Sequence, residues 1–494
     1  MTLQRREFMQ ASGATVGALT IGELDKIKRI DEHEETDDAE RWDIETDYAV
    51  AGASLGGCIS ALITAENGLD VVLLEKGPET GGTALSSAGG LYIIGDGPYD
   101  LEHMQEIAPD VDNDLGEALA NNFTETIEYL QERDFPVEPL PWRDPDYDVS
   151  IGASYEERRE FFDHFENEFE GHGGEVYTDT PAKSLVLDTD GTPVGILAEN
   201  RETGELLSVG ASDILLAVGG FQAEPGMKVQ YMGRDADNVA HRSAPTVTGD
   251  GLRMALAAGG RHSRSMGRFF GHPAPWPPLP PQYDIDEHYE EDLDLVWAQH
   301  SLGFFTSDTV MLNHHGNRFV DESRGSDIIN QEIAEQPQGY AFSVLDAELS
   351  EEIDDIETID EQGGNVWEGE SLDELVNEVD GLAARAVHTI EQFNTAIEED
   401  DDTLLTIPRE SERHPITDPP FTAVQFTAGV AQTHGGVDID TSGRVLDCSG
   451  SPIQNLYAIP GTAGGVTRFT YVGSLCQLAV FGRLAAEHVV DSAS

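Results

Sequence analysis

Residues Asp47 to Lys76, DYAVAGASLGGCISALITAENGLDVVLLEK, restrict the fold of this chain more than any other stretch. Tyr48 to Gly52 is a short apolar run and Ala53 to Gly57 a turn of small residues. Ile59 to Glu66 has helical spacing, and Val71 to Glu75 is a second buried strand ending in an acid. Strand, tight turn, helix and strand make a βαβ unit. Its turn can present backbone N–H groups to a pyrophosphate at a helix N-terminus, and Glu75 suits a ribose hydroxyl. Gly52 and Gly57 fill the first and third glycine positions of the dinucleotide fingerprint, whereas Ser54 fills the second. The unit alone leaves NAD and FAD both open.

A length of 494 residues allows two or three domains with sizeable cores. The net charge of -66 argues against nucleic acid and anionic membranes as partners. With 39% hydrophobic residues and strand and helix patterns throughout, disorder is expected only at the ends. Lysine is confined to Lys26, Lys28, Lys76, Lys183 and Lys228 among 28 basic residues. Acid excess with lysine depletion resembles proteins of salt-loving archaea, where molar salt shrinks the Debye length to about 3 Å and screens the repulsion. Cys58, Cys448 and Cys476 are scattered without metal, haem or cluster spacing and read as small core residues, so no metal site is expected.

Near the N-terminus, Arg5-Arg6-Glu7-Phe8-Met9 followed by the mildly apolar Ala11 to Gly22 resembles a twin-arginine export signal. It is too short to span a membrane. Export to the outer face or beyond is the expectation, with a cytoplasmic protein the alternative if the signal does not function. Helices are expected at Leu115 to Arg133, Tyr155 to Gly171 and Leu252 to Ala258, and along the acidic stretch Glu351 to Asp402. Strands are expected at Glu175 to Tyr177, Ser184 to Leu187, Val194 to Ala198 and Asp213 to Ala217. Arg261 to about Leu345, rich in Pro, His and aromatics, reads as loops lining a cleft. Beyond Asp418 short strands return, including Val445-Leu446 and Asn455 to Ile459, and an apolar helix, Leu475 to Val489, closes the chain.

The stretches GASLGG, VVLLEKGPETGGTALSSAGG, ILLAVGGF, TGDGLRMALAAGG, GNRFVDES, GGVDID, NLYAIPGTAGG and VFGRLAAEH occur in this order. Together they resemble the flavoprotein family of soluble fumarate reductases, 3-ketosteroid dehydrogenases and tricarballylate dehydrogenases, from about Asp47 to Val490. The resemblance implies FAD and an α/β fold, a Rossmann-like FAD-binding domain with an inserted α+β capping domain. The expected division is an export segment and spacer at 1–45, FAD-binding parts at 46–234 and 401–494, and a cap at 235–400. It places Gly52, Ser54, Leu55 and Gly57 at the pyrophosphate, Glu75 at the adenosine ribose and Lys76 and Ala182 at the adenine end. Gly82, Thr83 and Ser87 would line the flavin ring, Gly219 would approach the cofactor backbone, and Asp250 would bond the ribityl or pyrophosphate region. Ser474 and Leu475 would begin the last helix against the ring. No histidine stands at the usual attachment position, so non-covalent FAD is expected, and Thr462 stands where many members carry Glu.

The family's chemistry implies hydride transfer at flavin N5 to or from one carbon of a C–C bond beside a carbonyl or carboxylate, with a protein group handling the proton. His272 in GHPAP resembles a substrate-carboxylate histidine. Arg324 is the candidate proton donor, although a strict count puts that donor at Ser326. The relay positions fall at Leu302 and Phe305, which cannot relay protons. The second substrate histidine aligns with Gln432, with His434 nearby. The last substrate arginine aligns with Tyr471, or with Arg468 if the gap moves, and TYVG resembles the segment whose tyrosine polarises a ketone in ketosteroid dehydrogenases. The favoured expectation is therefore an oxidoreductase of an activated C–C bond with a separate electron partner. A fumarate or succinate enzyme and a non-enzymatic flavin-binding protein are the alternatives. A nicotinamide-dependent flavin enzyme is disfavoured, since no second Gly-rich βαβ unit is visible.

Overall fold

The computed structural model describes residues 42–95, 99–140, 148–277, 302–411 and 414–494. The twin-arginine motif lies outside them. The first βαβ unit forms as expected: strand Ile44–Ala51, helix Leu55–Glu66 and strand Val71–Leu74, the two strands parallel with Tyr48 opposite Val71. The apolar run Tyr48 to Ala51 is wholly buried because the strand lies between two neighbours and under helices.

Eight strands share this sheet. Its main path runs Arg444–Leu446, Pro452–Ala458, Leu206–Leu216, Ile44–Ala51, Val71–Leu74 and Glu175–Tyr177. The hairpin Ala182–Leu187 and Pro193–Glu199 adds to the N-terminal half of Leu206–Leu216, whose C-terminal half pairs with Pro452–Ala458. That long strand begins earlier than the expected Asp213 because its first half pairs with the polar-edged hairpin and carries no apolar run of its own.

Both ends of the chain build this layer. The last helix, Ser474–Ala493, crosses Leu55–Glu66 at two glycines: a Cβ on Gly56 would lie 2.2 Å from the Leu478 carbonyl oxygen, and one on Gly482 would lie 2.2 Å from that of Gly56. Only backbone against backbone allows this approach.

A second sheet of five strands holds Val310–Leu312, Tyr340–Leu345, Phe421–Thr427, Ala274–Pro275 and Val366–Gly369. Its cores group Phe305, Met311, Ile329 and Phe426 on one side and Phe342, Leu375, Ile390 and Phe393 on the other. Several expectations change here. Part of the stretch read as cleft loops forms strands and the helix Ser326–Ala334; Tyr340–Leu345 is buried on both faces and so shows no alternation. Phe421–Thr427, inside the range assigned to the returning first unit, instead pairs with Tyr340–Leu345 in the second sheet. Conversely Leu252, Met254 and Ala255 of helix Asp250–Ala257 pack into the first core. The acidic stretch Glu351 to Asp402 is broken into short helices around Val366–Gly369 before helix Arg385–Glu399. Cys58 and Cys476 are core residues, whereas Cys448 is exposed on a turn.

Two short pairings join the units. Ala240–His241 runs beside Gly429–Val430, and Phe269–Phe270 beside Gln432–Thr433. Outgoing and returning chain are thereby held together beside the candidate site.

Candidate active site

A cavity of about 680 Å³ runs from the end of the first βαβ unit to the junction between the two units. Gly52, Ser54, Glu75, Lys76, Gly82, Thr83, Ser87, Ala182, Gly219, Asp250, Ser474 and Leu475 all line it, as do Tyr471 and His272. Leu55 and Gly57, expected at the pyrophosphate, do not. Leu55 is buried, and Gly57 lets the helix start close against the turn: its Cβ would lie 2.1 Å from the Gly52 carbonyl oxygen.

At one end the turn is bare backbone. Gly52 has φ 100°, and a Cβ there would meet Ala217 O at 2.5 Å. Ser54 has φ -66° and an extended ψ, so the second fingerprint position needs no glycine; its Oγ accepts from Gly57 N and caps the helix. Glu75 is buried, and its two carboxylate oxygens accept from Ala53 N at 2.8 Å and Gly77 N at 2.7 Å. Burial raises its carboxyl above the usual range, against these backbone bonds and Lys76. Lys76 Nζ donates to Thr248 Oγ1 at 2.7 Å and Asp250 Oδ2 at 3.1 Å. Burial would raise the Asp250 carboxyl, but Lys76, Arg253 and Thr248 hold it below its ordinary value. Lys76 thus fixes Asp250 on the wall.

The other end is aromatic. Phe270 stacks on Tyr471 with centroids 3.6 Å apart and planes at 13°. His272 stands edge-on to Phe270 at 5.2 Å and to Phe304 at 4.5 Å. Tyr471 Oη accepts from Ser474 N at 3.0 Å, at the start of the last helix, and burial above all holds its phenol protonated. Ser474 Oγ donates to Gln432 Oε1. His272 Nδ1 shares a hydrogen bond of 2.8 Å with Ser326 Oγ. Burial, then the neighbouring Arg242, pushes His272 down to about 3, so it is neutral. Arg242 lines the same end, its Nη1 donating to the carbonyls of His272 at 3.1 Å and Pro273 at 3.4 Å. Gln222 is there as well, its Nε2 donating to Ala431 O at 3.0 Å.

Three expected catalytic side chains lie elsewhere. Arg324 ends a short turn, Glu322–Arg324, and is exposed; Gly325, at φ 96°, redirects the chain so that Ser326, two residues on, is the one against His272. Arg468 is exposed and lines a separate groove with Arg261 and Asp438, while its backbone N–H, with those of Phe469 and Thr470, donates to Asp110 Oδ2 at 2.6, 2.7 and 3.2 Å. His434 is buried beyond the end of strand Gln432–Thr433, its Nδ1 3.3 Å from Thr467 Oγ1, and burial pushes it to about 4. Leu302 and Phe305 are buried in the apolar core of the second unit.

Residues 47–475 match the family described as FAD binding domain. The chain belongs to that FAD-binding family. The dinucleotide is therefore FAD. A probable fumarate reductase, Ifc3, of Shewanella frigidimarina is 24% identical over 484 residues, covering 90% of this chain and 76% of its own. A vinyl phenol reductase of Lactiplantibacillus plantarum is 24% identical over 466 residues, covering 86% of this chain and 91% of its own. The solved 3-ketosteroid Δ1-dehydrogenase from Sterolibacterium denitrificans superposes with a TM-score of 0.71 at 18% identity, over 91% of this chain and 100% of that one. At that identity the likeness speaks for the fold alone.

The cavity fits the FAD-binding family's cofactor on its own geometry. The bare Gly52 turn, the capped N-terminus of Leu55–Glu66 and the buried Glu75 acceptor follow one another along a single wall. The N-terminus of Ser474–Ala493 opens onto the far end.

Proposed function

We propose that this FAD-binding protein is an oxidoreductase that adds or removes hydrogen across a carbon–carbon bond beside a carbonyl or carboxylate. One observation carries this: the cofactor cradle and the group Tyr471, His272, Arg242 and Gln432 share one cavity. In this reading the first unit holds FAD non-covalently, the second caps it, and bound FAD supplies hydride chemistry at its ring.

The chain's own groups divide the remaining work. Gly52 and Ser54 hold the pyrophosphate and Glu75 the ribose. The first turn of Ser474–Ala493 offers the positive end of a helix dipole to a ring that gains negative charge on reduction. Tyr471 takes a hydrogen bond from Ser474 N and keeps its own phenol proton for a substrate carbonyl or carboxylate oxygen. His272, neutral and held through Nδ1 by Ser326 Oγ, is oriented to hydrogen-bond a substrate at the cavity wall without carrying a charge. This pair occupies the place where the sequence resemblance implied an arginine donor. Arg5 and Arg6 support export after folding.

The test is spectroscopic. Purified protein should be yellow, and acid denaturation should release the colour into the supernatant. After anaerobic reduction, a conjugated acid or ketone should restore the oxidised spectrum. A protein without flavin, or one that no conjugated acceptor reoxidises, would refute the assignment.

A further inference from the structure

We propose that Asp110 is a positioning residue for the reaction: its carboxylate holds the loop that delivers Tyr471 to the reactive end of the cavity. The inference rests on the oxidoreductase reading and adds to it a residue outside the cavity lining. Tyr471 sits on chain that no helix or strand supports. Residues 464–473 carry no regular structure and run straight into helix Ser474–Ala493. Such a loop has many backbone states open to it unless it is tied down. Yet the same loop must hold Tyr471 Oη 3.0 Å from Ser474 N and its ring 3.6 Å from that of Phe270.

Asp110 supplies the tie. It lies on the turn between helices Leu101–Ile107 and Asn113–Glu132. Its Oδ2 accepts from three consecutive backbone N–H groups, those of Arg468 at 2.6 Å, Phe469 at 2.7 Å and Thr470 at 3.2 Å. Successive N–H groups converging on one point form an anion-binding nest, and here the chain fills it with its own carboxylate. Partial burial alone would raise the Asp110 carboxyl, but the Thr470 hydroxyl and the three N–H groups hold it below the ordinary range. The bonds are therefore charge-assisted, roughly twice as strong as neutral ones. Thr470 immediately precedes Tyr471, so the nest ends one peptide unit before the phenol.

Two further bonds frame the loop. Asp112 N donates to Val466 O at 2.8 Å from the same turn as Asp110. Gln331 Nε2 donates to Phe469 O at 2.8 Å from helix Ser326–Ala334, which begins with the hydroxyl bonded to His272. The first unit thus holds the loop mainly by its N–H groups, and the second holds it by a carbonyl. Of these ties only that of Asp110 carries a charge. A shift of about 1 Å at Tyr471 would cost turnover on the order of 10²-fold.

Flavin-loaded Asp110→Asn, Tyr471→Phe and the double variant are compared with wild type by stopped-flow reoxidation with a conjugated acceptor. Asp110→Asn keeps the size of the side chain and gives up its charge. It should slow substrate-driven reoxidation about tenfold or more, with flavin content and reduction by dithionite unchanged. In the Tyr471→Phe background the same change should cost less than about twofold, because the group it positions is already gone. Asp110→Glu, which keeps the charge, should recover part of the loss. Equal slowing in both backgrounds, or wild-type reoxidation by Asp110→Asn, would overturn the proposal. If Asp110→Asn does not fold, hydrogen exchange of the wild-type protein decides. The amides of Arg468, Phe469 and Thr470 should exchange at least about 10²-fold slower than free chain, and free-chain rates overturn the tie. A colourless protein, or one that no conjugated acceptor reoxidises, sinks the oxidoreductase reading itself, which none of the Asp110 outcomes does.

Discussion

Replacing Gly56 by Ala puts one methyl group where helices Leu55–Glu66 and Ser474–Ala493 cross. The new Cβ would start 2.2 Å from Leu478 O and 2.5 Å from Ile459 Cδ1. Ordinary contact lies near 3.5 Å, so Leu55–Glu66 and Ser474–Ala493 must separate by about 1 Å. The Ile459 side-chain end can yield, but the helix backbone at Leu478 cannot. Overpacking of this kind costs about 1–3 kcal/mol, and the melting temperature should fall by roughly 2–10 °C. The displacement also reaches the site, because Ser54 precedes one helix and Ser474 begins the other, both on the cavity wall. A misplacement near 1 Å costs turnover on the order of 10²-fold. Melting curves, flavin stoichiometry and substrate-driven reoxidation are compared with wild type and with Gly171→Ala. Gly171 is the exposed last residue of helix Tyr155–Gly171, and nothing lies within 4 Å of its would-be Cβ. Gly171→Ala should leave all three readouts unchanged. A Gly56→Ala protein with wild-type melting and reoxidation would refute the close crossing and its link to the site.

Tyr471→Phe should keep flavin bound and slow reoxidation by substrate roughly 10²-fold, as for loss of one preorganised donor; an unchanged rate removes Tyr471 from the chemistry. Ser326→Ala should slow the same step by on the order of 10²-fold while leaving reduction of the enzyme by dithionite untouched, which stopped-flow absorbance separates. The buried histidines set a pH dependence: burial pushes His241 and His272 down to about 3 and His434 to about 4, all below the ordinary imidazole range. Below about 6.5 the unfolded chain takes up protons that the folded chain refuses, so their contribution to stability is present above that pH and is lost as pH falls toward 3–4. His434→Gln, assayed by denaturant unfolding at pH 7 and pH 5, should lose less stability on acidification than wild type, and an identical loss would remove His434 from this account.

The cofactor end of the site was legible because its signals are local. Gly52, Ser54 and Glu75 lie within one βαβ unit, and their spacing is set by a turn and a strand. The reactive end was only partly so. Phe270 and Gln432 meet through a two-residue strand pair between distant segments, and Arg242 is placed by a second such pair. Neither pair has a periodicity to announce it. His434 was a candidate only as the histidine nearest the aligned Gln432, but the strand ends at Thr433 and the imidazole is buried. Arg324 was misjudged for a related reason: the positive-φ Gly325 changes direction just where the count mattered.

The crossing of Leu55–Glu66 and Ser474–Ala493 also sets an order of events in the life of the chain. Strand Ile44–Ala51 and the Gly52 turn are made early, but their neighbour Leu206–Leu216 is edged by Pro452–Ala458, and the far wall of the cavity begins at Ser474. No partial chain stopping short of the final helix has a complete cofactor site. FAD can be seated only after Ser474–Ala493 has been made and laid against Leu55–Glu66.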